Sequence, residues 1–291
     1  MSTDSTQGTN TYYTDPESAP EMARLIKQAH MLTEEMGGPL ADHKDLTHIH
    51  DILDLACGPG EWVLELASMY PEKQVTGVDI SQRMLEYAQL QALRNQLHNA
   101  HFREMDILKQ PLEFSPHTFD LINMRLISSM FRTPNHWLKL LQECMRVTRP
   151  GGFIYLTDCE CYISNSPIAE KFFALCTKAA YLAGNSFSAD GRQLAITPMM
   201  GRLLRQAGYQ NVQHRAFAID GSAGAKNHQQ FYEDIVVFLK FVQPILVRTG
   251  VVATPEEAET LYYQTLEEMR AEDFNCIWYF LTVCGEKAVT D

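Results

Sequence analysis

Two glycines and an acid mark where this sequence can hold a ligand. In Asp51-Ile52-Leu53-Asp54-Leu55-Ala56-Cys57-Gly58-Pro59-Gly60 an apolar run leads straight into a Gly-Pro-Gly turn, and Val75-Thr76-Gly77-Val78-Asp79-Ile80 is a second apolar run that ends on an acid. Ile52, Leu53 and Leu55 suit a strand buried in a parallel sheet. Gly58 and Gly60 lack the Cβ that would keep a ligand off the main chain, so the turn can serve as a floor. A helix predicted over 61–69 aims its first N–H groups and positive dipole end into the same crevice, which favours a carboxylate or phosphate. Asp79 follows the glycines by about 20 residues, the distance at which a βαβ unit presents a carboxylate to a ribose diol. Each feature also has a plainer use: the glycines as a tight strand-to-helix turn, Asp79 as the cap of a helix starting near Ser81, Asp106 as the cap of a turn.

Small departures decide between adenosine cofactors. A dinucleotide fingerprint needs a third glycine at position 63, and Val63 stands there. A phosphate-cradling loop needs Lys and then Ser or Thr after the turn, and neither follows. What remains resembles motif I of the class I S-adenosylmethionine-dependent methyltransferases, with Ala56 where many members carry their first glycine. Glu104-Met105-Asp106-Ile107 is similar to the family's third strand end, Thr118-Phe119-Asp120-Leu121-Ile122-Asn123-Met124 to its fourth strand, and Val147-Thr148-Arg149-Pro150-Gly151-Gly152-Phe153-Ile154-Tyr155-Leu156 to its Pro-Gly-Gly turn and fifth strand. The landmarks run in order over residues 50 to 158, at the strand ends where open α/β sheets bind ligands.

The resemblance implies an α/β fold: a Rossmann-like sheet of seven strands, mostly parallel with the last antiparallel, flanked by helices. It implies S-adenosyl-L-methionine as methyl donor, S-adenosyl-L-homocysteine as product, and a small-molecule acceptor methylated on oxygen, nitrogen or carbon. Carried onto this sequence, Ala56, Gly58 and Gly60 lie beside the methionyl part. Asp54 holds the turn or reaches the ammonium through water. Asp79 takes the ribose hydroxyls and Asp106 the adenine amino group, while Ile80, Met84, Met105 and Ile107 surround the ring. Arg125 pairs with the cofactor carboxylate or an acidic substrate, or makes a salt bridge at a helix start. Tyr13 either closes over the sulfonium, where an aromatic ring gains cation–π attraction, or belongs to a mobile tail.

Composition narrows the partners. With 24 Lys and Arg against 36 Asp and Glu the formal net charge is -12, which argues against a nucleic-acid surface. No apolar run reaches membrane-spanning length, and the polar start Met1-Ser2-Thr3-Asp4-Ser5-Thr6-Gln7 has no signal-peptide core, so a cytoplasmic protein without membrane contact is expected. The seven cysteines are scattered and lack paired ligand spacing. They exclude the iron–sulfur cradle that radical chemistry on this cofactor requires. The ten histidines lack metal-site spacing, and no metal is expected.

The elements that must position these residues follow from periodicity and punctuation. Strands are predicted at 50–56, 75–79, 101–105, 118–124 and 152–158, alternating with helices at 60–70, 81–95 and 134–147, the pattern of a parallel sheet. A helix over 16–36 is stopped by Gly37-Gly38-Pro39, and residues 1–15 have a disordered composition. Beyond the fifth strand lie an apolar helix at 168–183, a helix at 197–207, a strand at 212–219, helices at 231–247 and 255–271, and a last strand at 275–283. The domain reading is an N-terminal arm and helix over 1–45, a cofactor-binding core over 46–220 plus 274–291, and a helical insertion over 221–273. The arm, the 160–190 segment and the insertion together cover the methyl end.

Transfer of a sulfonium methyl is an in-line displacement, which asks for alignment and exclusion of water. The departing thioether is neutral and needs no acid. A base is needed only where the acceptor, such as a phenol or amine, must lose a proton. Asp158 and Glu160 after the fifth strand, and His228, Tyr232 and Tyr263 in the insertion, are the candidates; for the last three an ordinary packing or surface role is the plainer reading. A binding protein that has lost the chemistry is the alternative function, and Val63 places a nicotinamide-dependent oxidoreductase last. The apolar helices of the cover equally suit a homodimer interface.

Overall fold

A computed structural model describes residues 18–40, 46–131 and 134–289, so the reading of residues 1–15 and of Tyr13 lies outside the described residues. The sheet contains β1 (Asp51–Leu55), β2 (Gln74–Asp79), β3 (Ala100–Glu104), β4 (Phe119–Arg125), β5 (Thr148–Cys159), β6 (Ile163–Ser164), β7 (Gln210–Asp220) and β8 (Cys276–Glu286). Their order is β3-β2-β1-β4-β5-β8, with β7 and the short β6 both paired to β8. The first five strands are parallel and β8 runs antiparallel to β5. The seven expected strands are all present; the eighth, β6, has two residues, too few for any periodic signal.

Ile52, Leu53 and Leu55 of β1 are fully buried, as a central strand covered on both faces requires. On one face α2 (Glu61–Met69) brings Trp62, Val63 and Leu66 against Ile52, Val75 and Leu121. Val63 fills the space that a dinucleotide fingerprint leaves to a third glycine. On the other face α4 (Pro134–Val147) and α6 (Thr197–Ala207) supply Trp137, Leu140, Met200 and Leu203. Between β2 and β3 runs α3 (Gln82–Arg94), capped by Ser81, whose hydroxyl accepts from Met84 N–H at 3.3 Å.

The remaining helices, α1 (Ala19–Met36), α5 (Pro167–Leu182), α7 (His228–Arg248) and α8 (Pro255–Glu268), share a separate apolar cluster with the start of β8. Phe172, Phe231, Ile235, Leu239 and Phe280 are buried there. Three of these helices begin on hydroxyl caps, Ser18, Ser166 and Thr254, and α1 ends on Gly37 in the left-handed region at φ 85°. The last predicted helix stops earlier than expected, at Glu268 rather than 271. Among the described residues no helix is long and apolar enough to cross a membrane.

Candidate active site

The strand order creates a crevice between β1 and β4. From β1 the chain moves outward to β2 and β3; β4 then pairs with the other edge of β1 and the chain proceeds to β5. Helices leave these two neighbours in opposite directions, so the carboxyl ends open a gap where ligands bind in such sheets. A cavity of about 360 Å³ occupies it.

On the β1–β2–β3 side the floor is the turn after β1. Ala56 and Gly58 both have left-handed backbones, at φ 56° and 55°. For Ala56, which carries a Cβ, this is stored strain of the kind found at functional sites. Asp79, 9% exposed, accepts from Gly58 N–H at 2.8 Å and from Ser81 N–H at 2.9 Å, one bond per carboxylate oxygen. Each oxygen keeps acceptor capacity for a further donor. Burial raises the Asp79 carboxyl above its usual pKa range, against the pull of these N–H groups.

A Cβ placed on Gly58 would stand 3.7 Å from Met84 Sδ and 3.9 Å from Leu25 Cδ1, so this glycine faces the cavity. Gly60 does not line it. A Cβ there would come within 2.7 Å of Phe102 Cε1 and 2.8 Å of Ala88 Cβ, so the expected cofactor residue Gly60 lets α2 start close against β3 and α3. Ile80, Met84, Met105, Asp106 and Ile107 line the same side, and Ile80 is 50% exposed. Asp106 Oδ1 accepts from Leu108 N–H at 3.0 Å, which orients its carboxylate.

The β4–β5 side is built differently. Arg125, at the end of β4, donates to Thr33 Oγ1 of α1 at 3.0 Å and interacts electrostatically with Asp54 and Glu65. Asp54, 4% exposed, accepts from Asn123 Nδ2 at 2.8 Å, and burial pushes its carboxyl up to about 7 although Arg125 and Asn123 oppose it. Asp158 accepts from Ser128 N–H at 3.0 Å, Ser128 Oγ–H at 2.9 Å and Cys159 N–H at 2.9 Å. Burial again dominates, and its carboxyl is pushed up to about 7.

The other base candidates are engaged elsewhere. Glu160 lines the cavity, but its carboxylate accepts from Ala195 N–H at 2.9 Å, Thr197 N–H at 3.1 Å and Thr197 Oγ1–H at 2.9 Å, anchoring the start of α6. His228 is off the cavity, with Nδ1 2.8 Å from the Gly221 carbonyl oxygen. The Tyr232 ring lies under Arg270 at 5.0 Å and Tyr263 is exposed on α8. Of the expected bases, Asp158 and Glu160 reach the cavity, and His228, Tyr232 and Tyr263 do not.

The structure adds a group that sequence reasoning missed. Arg24 grips Glu21 with two bonds of 2.8 Å and donates to Asp234 Oδ1 of α7 at 2.9 Å, while Gln28 Nε2 donates to the same oxygen at 3.0 Å. All four side chains are buried and line the cavity under α1. A signal existed: positions 21, 24 and 28 lie on one helical stripe together with Leu25 and Leu32. Ser128 and the aromatic residues Tyr162, Phe173, Phe238 and Trp278 complete the wall. Among the described residues no group of three or more His, Cys, Asp or Glu side chains is arranged to hold a metal ion.

Residues 52–152 match a family model described as a methyltransferase domain. Over these residues the chain carries a methyltransferase domain. It is similar to an uncharacterized methyltransferase of Schizosaccharomyces pombe, 36% identical over 35% of this chain and 37% of that protein. It is also similar to the demethylmenaquinone methyltransferase of Lactococcus lactis, 35% identical over 37% of this chain and 41% of that one. The matched stretch therefore spans less than half the length of these curated relatives. Among solved structures, the methyltransferase domain and its helical additions align with Haemonchus contortus phosphoethanolamine N-methyltransferase 2 in complex with phosphomonomethylethanolamine and S-adenosylhomocysteine. That alignment has TM-score 0.53 and 17% identity over 94% of this chain and 58% of that one. The YcgJ protein of Bacillus subtilis aligns with TM-score 0.50 and 17% identity over 92% of this chain and 97% of its own. At these identities the likeness is one of fold.

Proposed function

We propose that this chain moves the methyl group of S-adenosylmethionine to a small molecule held between α1, α5, α7 and the carboxyl ends of β4 and β5. The observation that carries the reading is that one cavity is lined by the glycine turn and Asp79 on one side and by Asp158 and the buried faces of α1, α5 and α7 on the other. Donor and acceptor then meet in a space shielded by helices. Bound there, S-adenosylmethionine supplies an electrophilic methyl group on a cationic sulfur. The residues present suit it: a turn that leaves the main chain bare at Gly58, a carboxylate at Asp79 with acceptor capacity left, and the half-exposed apolar Ile80 beside Asp106.

In this reading Asp79 takes the ribose hydroxyls, Asp106 the adenine amino group, and Met84, Met105 and Ile107 pack on the ring with Ile80. Ala56 and Gly58 lie beside the methionyl chain, Arg125 answers its carboxylate, and Asp54 reaches its ammonium through water. The helices of 221–273, with α1 and α5, form the acceptor's cover. The protein's work is alignment and exclusion of water rather than acid chemistry.

Calorimetry with S-adenosylmethionine, S-adenosylhomocysteine and NAD tests the donor half. Saturable binding of the first two with no binding of NAD is expected, and the reverse pattern rejects the proposal. Release of S-adenosylhomocysteine with a panel of acceptors then separates an enzyme from a binding protein.

A further inference from the structure

The acceptor side of the cavity is chemically lopsided. Its wall is largely apolar and aromatic, with Tyr162, Phe173, Ile235, Phe238, Val242 and Trp278 facing it from β8, α5, α7 and the segment after β5. The lining charges are mostly acids. Arg24 is already gripped by Glu21 and Asp234, and Arg125 faces Asp54. Among the described residues, no further cation lines the wall for a carboxylate or phosphate on the acceptor, which would enter beside Asp158, Glu160 and Asp234 at a desolvation cost. A basic amine arrives protonated, and the same acids would hold the proton on its lone pair. An uncharged hydroxyl on an apolar body meets neither obstacle, and its proton needs an acceptor as the oxygen attacks.

Resting on the donor reading above, we propose that the acceptor is an uncharged, apolar molecule bearing a phenolic or enolic hydroxyl, and that Asp158 receives the hydroxyl proton while Ser128 positions the Asp158 carboxylate. The body of the acceptor lies among the aromatic and aliphatic side chains of the wall. Its oxygen lone pair forms a bond to the methyl carbon as the carbon–sulfur bond breaks. That bonding pair stays on sulfur, giving a neutral thioether; the proton passes to Asp158 and from there to water. Asp158 suits the task by place as well as by chemistry. It stands one residue before the end of β5, next to the segment after β4, where Leu126 N–H donates to the Thr157 carbonyl at 2.9 Å, and it lines the cavity on the side away from Asp79 and Asp106. Among the described residues, the acids that face the same space are Glu160 beside it, Asp54 from β1, and Glu21 and Asp234 from α1 and α7, with Arg24 and Arg125 as the cations and the Cys159 and Cys161 thiols adjacent.

The test uses the full chain, labelled S-adenosylmethionine and three matched series: 4-alkylphenols, 4-alkylbenzylamines and 4-alkylbenzoates. Methyl ethers are expected from the phenols, with kcat/KM rising with alkyl length and at least tenfold above both other series. In Asp158→Asn, kcat on the phenol should fall about 100-fold with donor affinity unchanged by calorimetry. The residual rate should climb with pH as the phenolate forms, whereas the wild type levels off above neutrality. Ser128→Ala should keep most activity and shift the wild-type midpoint upward, because the carboxylate loses a hydrogen bond that favours its charged form. Preference for benzylamines or benzoates, no methyl ether from any phenol, or an unaltered pH profile in Asp158→Asn overturns this assignment while donor binding stands. Absence of donor binding in the wild type overturns the donor reading instead. The substrate-series comparison and the pH profile are read on the wild type, so the assignment is decided even if Asp158→Asn does not fold.

Discussion

Asp79 Oδ2 accepts the Gly58 backbone N–H at 2.8 Å, a bond that ties the end of β2 to the turn after β1. The other oxygen, Oδ1, accepts Ser81 N–H at 2.9 Å and so sets the start of α3. One carboxylate thus shapes the turn after β1 while lining the cavity.

Asp79→Ala should weaken S-adenosylmethionine binding by about 10- to 100-fold, the loss of one or two hydrogen bonds to a charged group. Asp79→Asn should lose less, because its amide keeps one acceptor. Titration calorimetry on both variants checks the order, and equal losses would mean that the floor rather than the ribose contact is affected.

Gly58 and Gly60 should part company when each is changed to Ala. Gly60→Ala forces a Cβ to within 2.7 Å of Phe102 and 2.8 Å of Ala88 at φ 81°, so a loss of about 1–3 kcal/mol in stability is expected. Gly58→Ala meets only ordinary contacts at 3.7 and 3.9 Å, and its methyl projects into the cavity. It should lower the urea midpoint less and the donor affinity more.

Removing Arg24 leaves Glu21 and Asp234 buried without the cation that both share. Arg24→Ala should cost about 3 kcal/mol or more in urea unfolding. Replacing Glu21, Arg24 and Asp234 together with apolar residues of similar size should recover much of that stability. A triple variant as unstable as the single one would show that packing of α1, not charge pairing, holds the helix down.

Stability of the ligand-free protein should fall as pH rises from about 5 to about 7. Asp54 and Asp158 are pushed up to about 7 by burial, so the folded chain holds protons that the unfolded chain, with carboxylates near 4, has released. Their stabilisation is complete below the unfolded value and lost as pH passes through the folded one, at no more than about 1.4 kcal/mol per pH unit for each group. Asp79, Asp234, Glu61 and Glu65 are raised as well and act in the same direction. Asp120 and Glu143 are lowered by their Arg and backbone partners, and their opposite slope lies below this window. Urea midpoints at pH 5.5 and 7.5 should differ accordingly, and Asp158→Asn should flatten the slope.

The cofactor half was legible because it is local. Gly58, Asp79 and Asp106 sit at the ends of successive strands, each announced by an apolar run, and a parallel sheet brings such ends to one edge. The packing of Gly60 against Phe102 and Ala88 was not legible, because whether a bare Cα faces the cavity or a neighbouring element depends on which way the turn leaves the sheet. Glu160 and His228 have residue types suited to proton transfer, but hydrogen bonds to the α6 start and to the Gly221 carbonyl decide what they do.

Periodicity, punctuation and motif order in the sequence determine the strands, the helices and the turn that floors the candidate site, since an apolar run, a cap or a glycine turn acts on residues close together in the chain. The acceptor side is a product of tertiary structure alone. Arg24 meets Asp234 across 210 positions, and Ser128 meets Asp158 across 30. The first pair needs α1 packed on α7, and the second needs the segment after β4 laid against the end of β5, because burial and orientation of a polar side chain are set by what covers it, and the covering elements come from distant parts of the sequence.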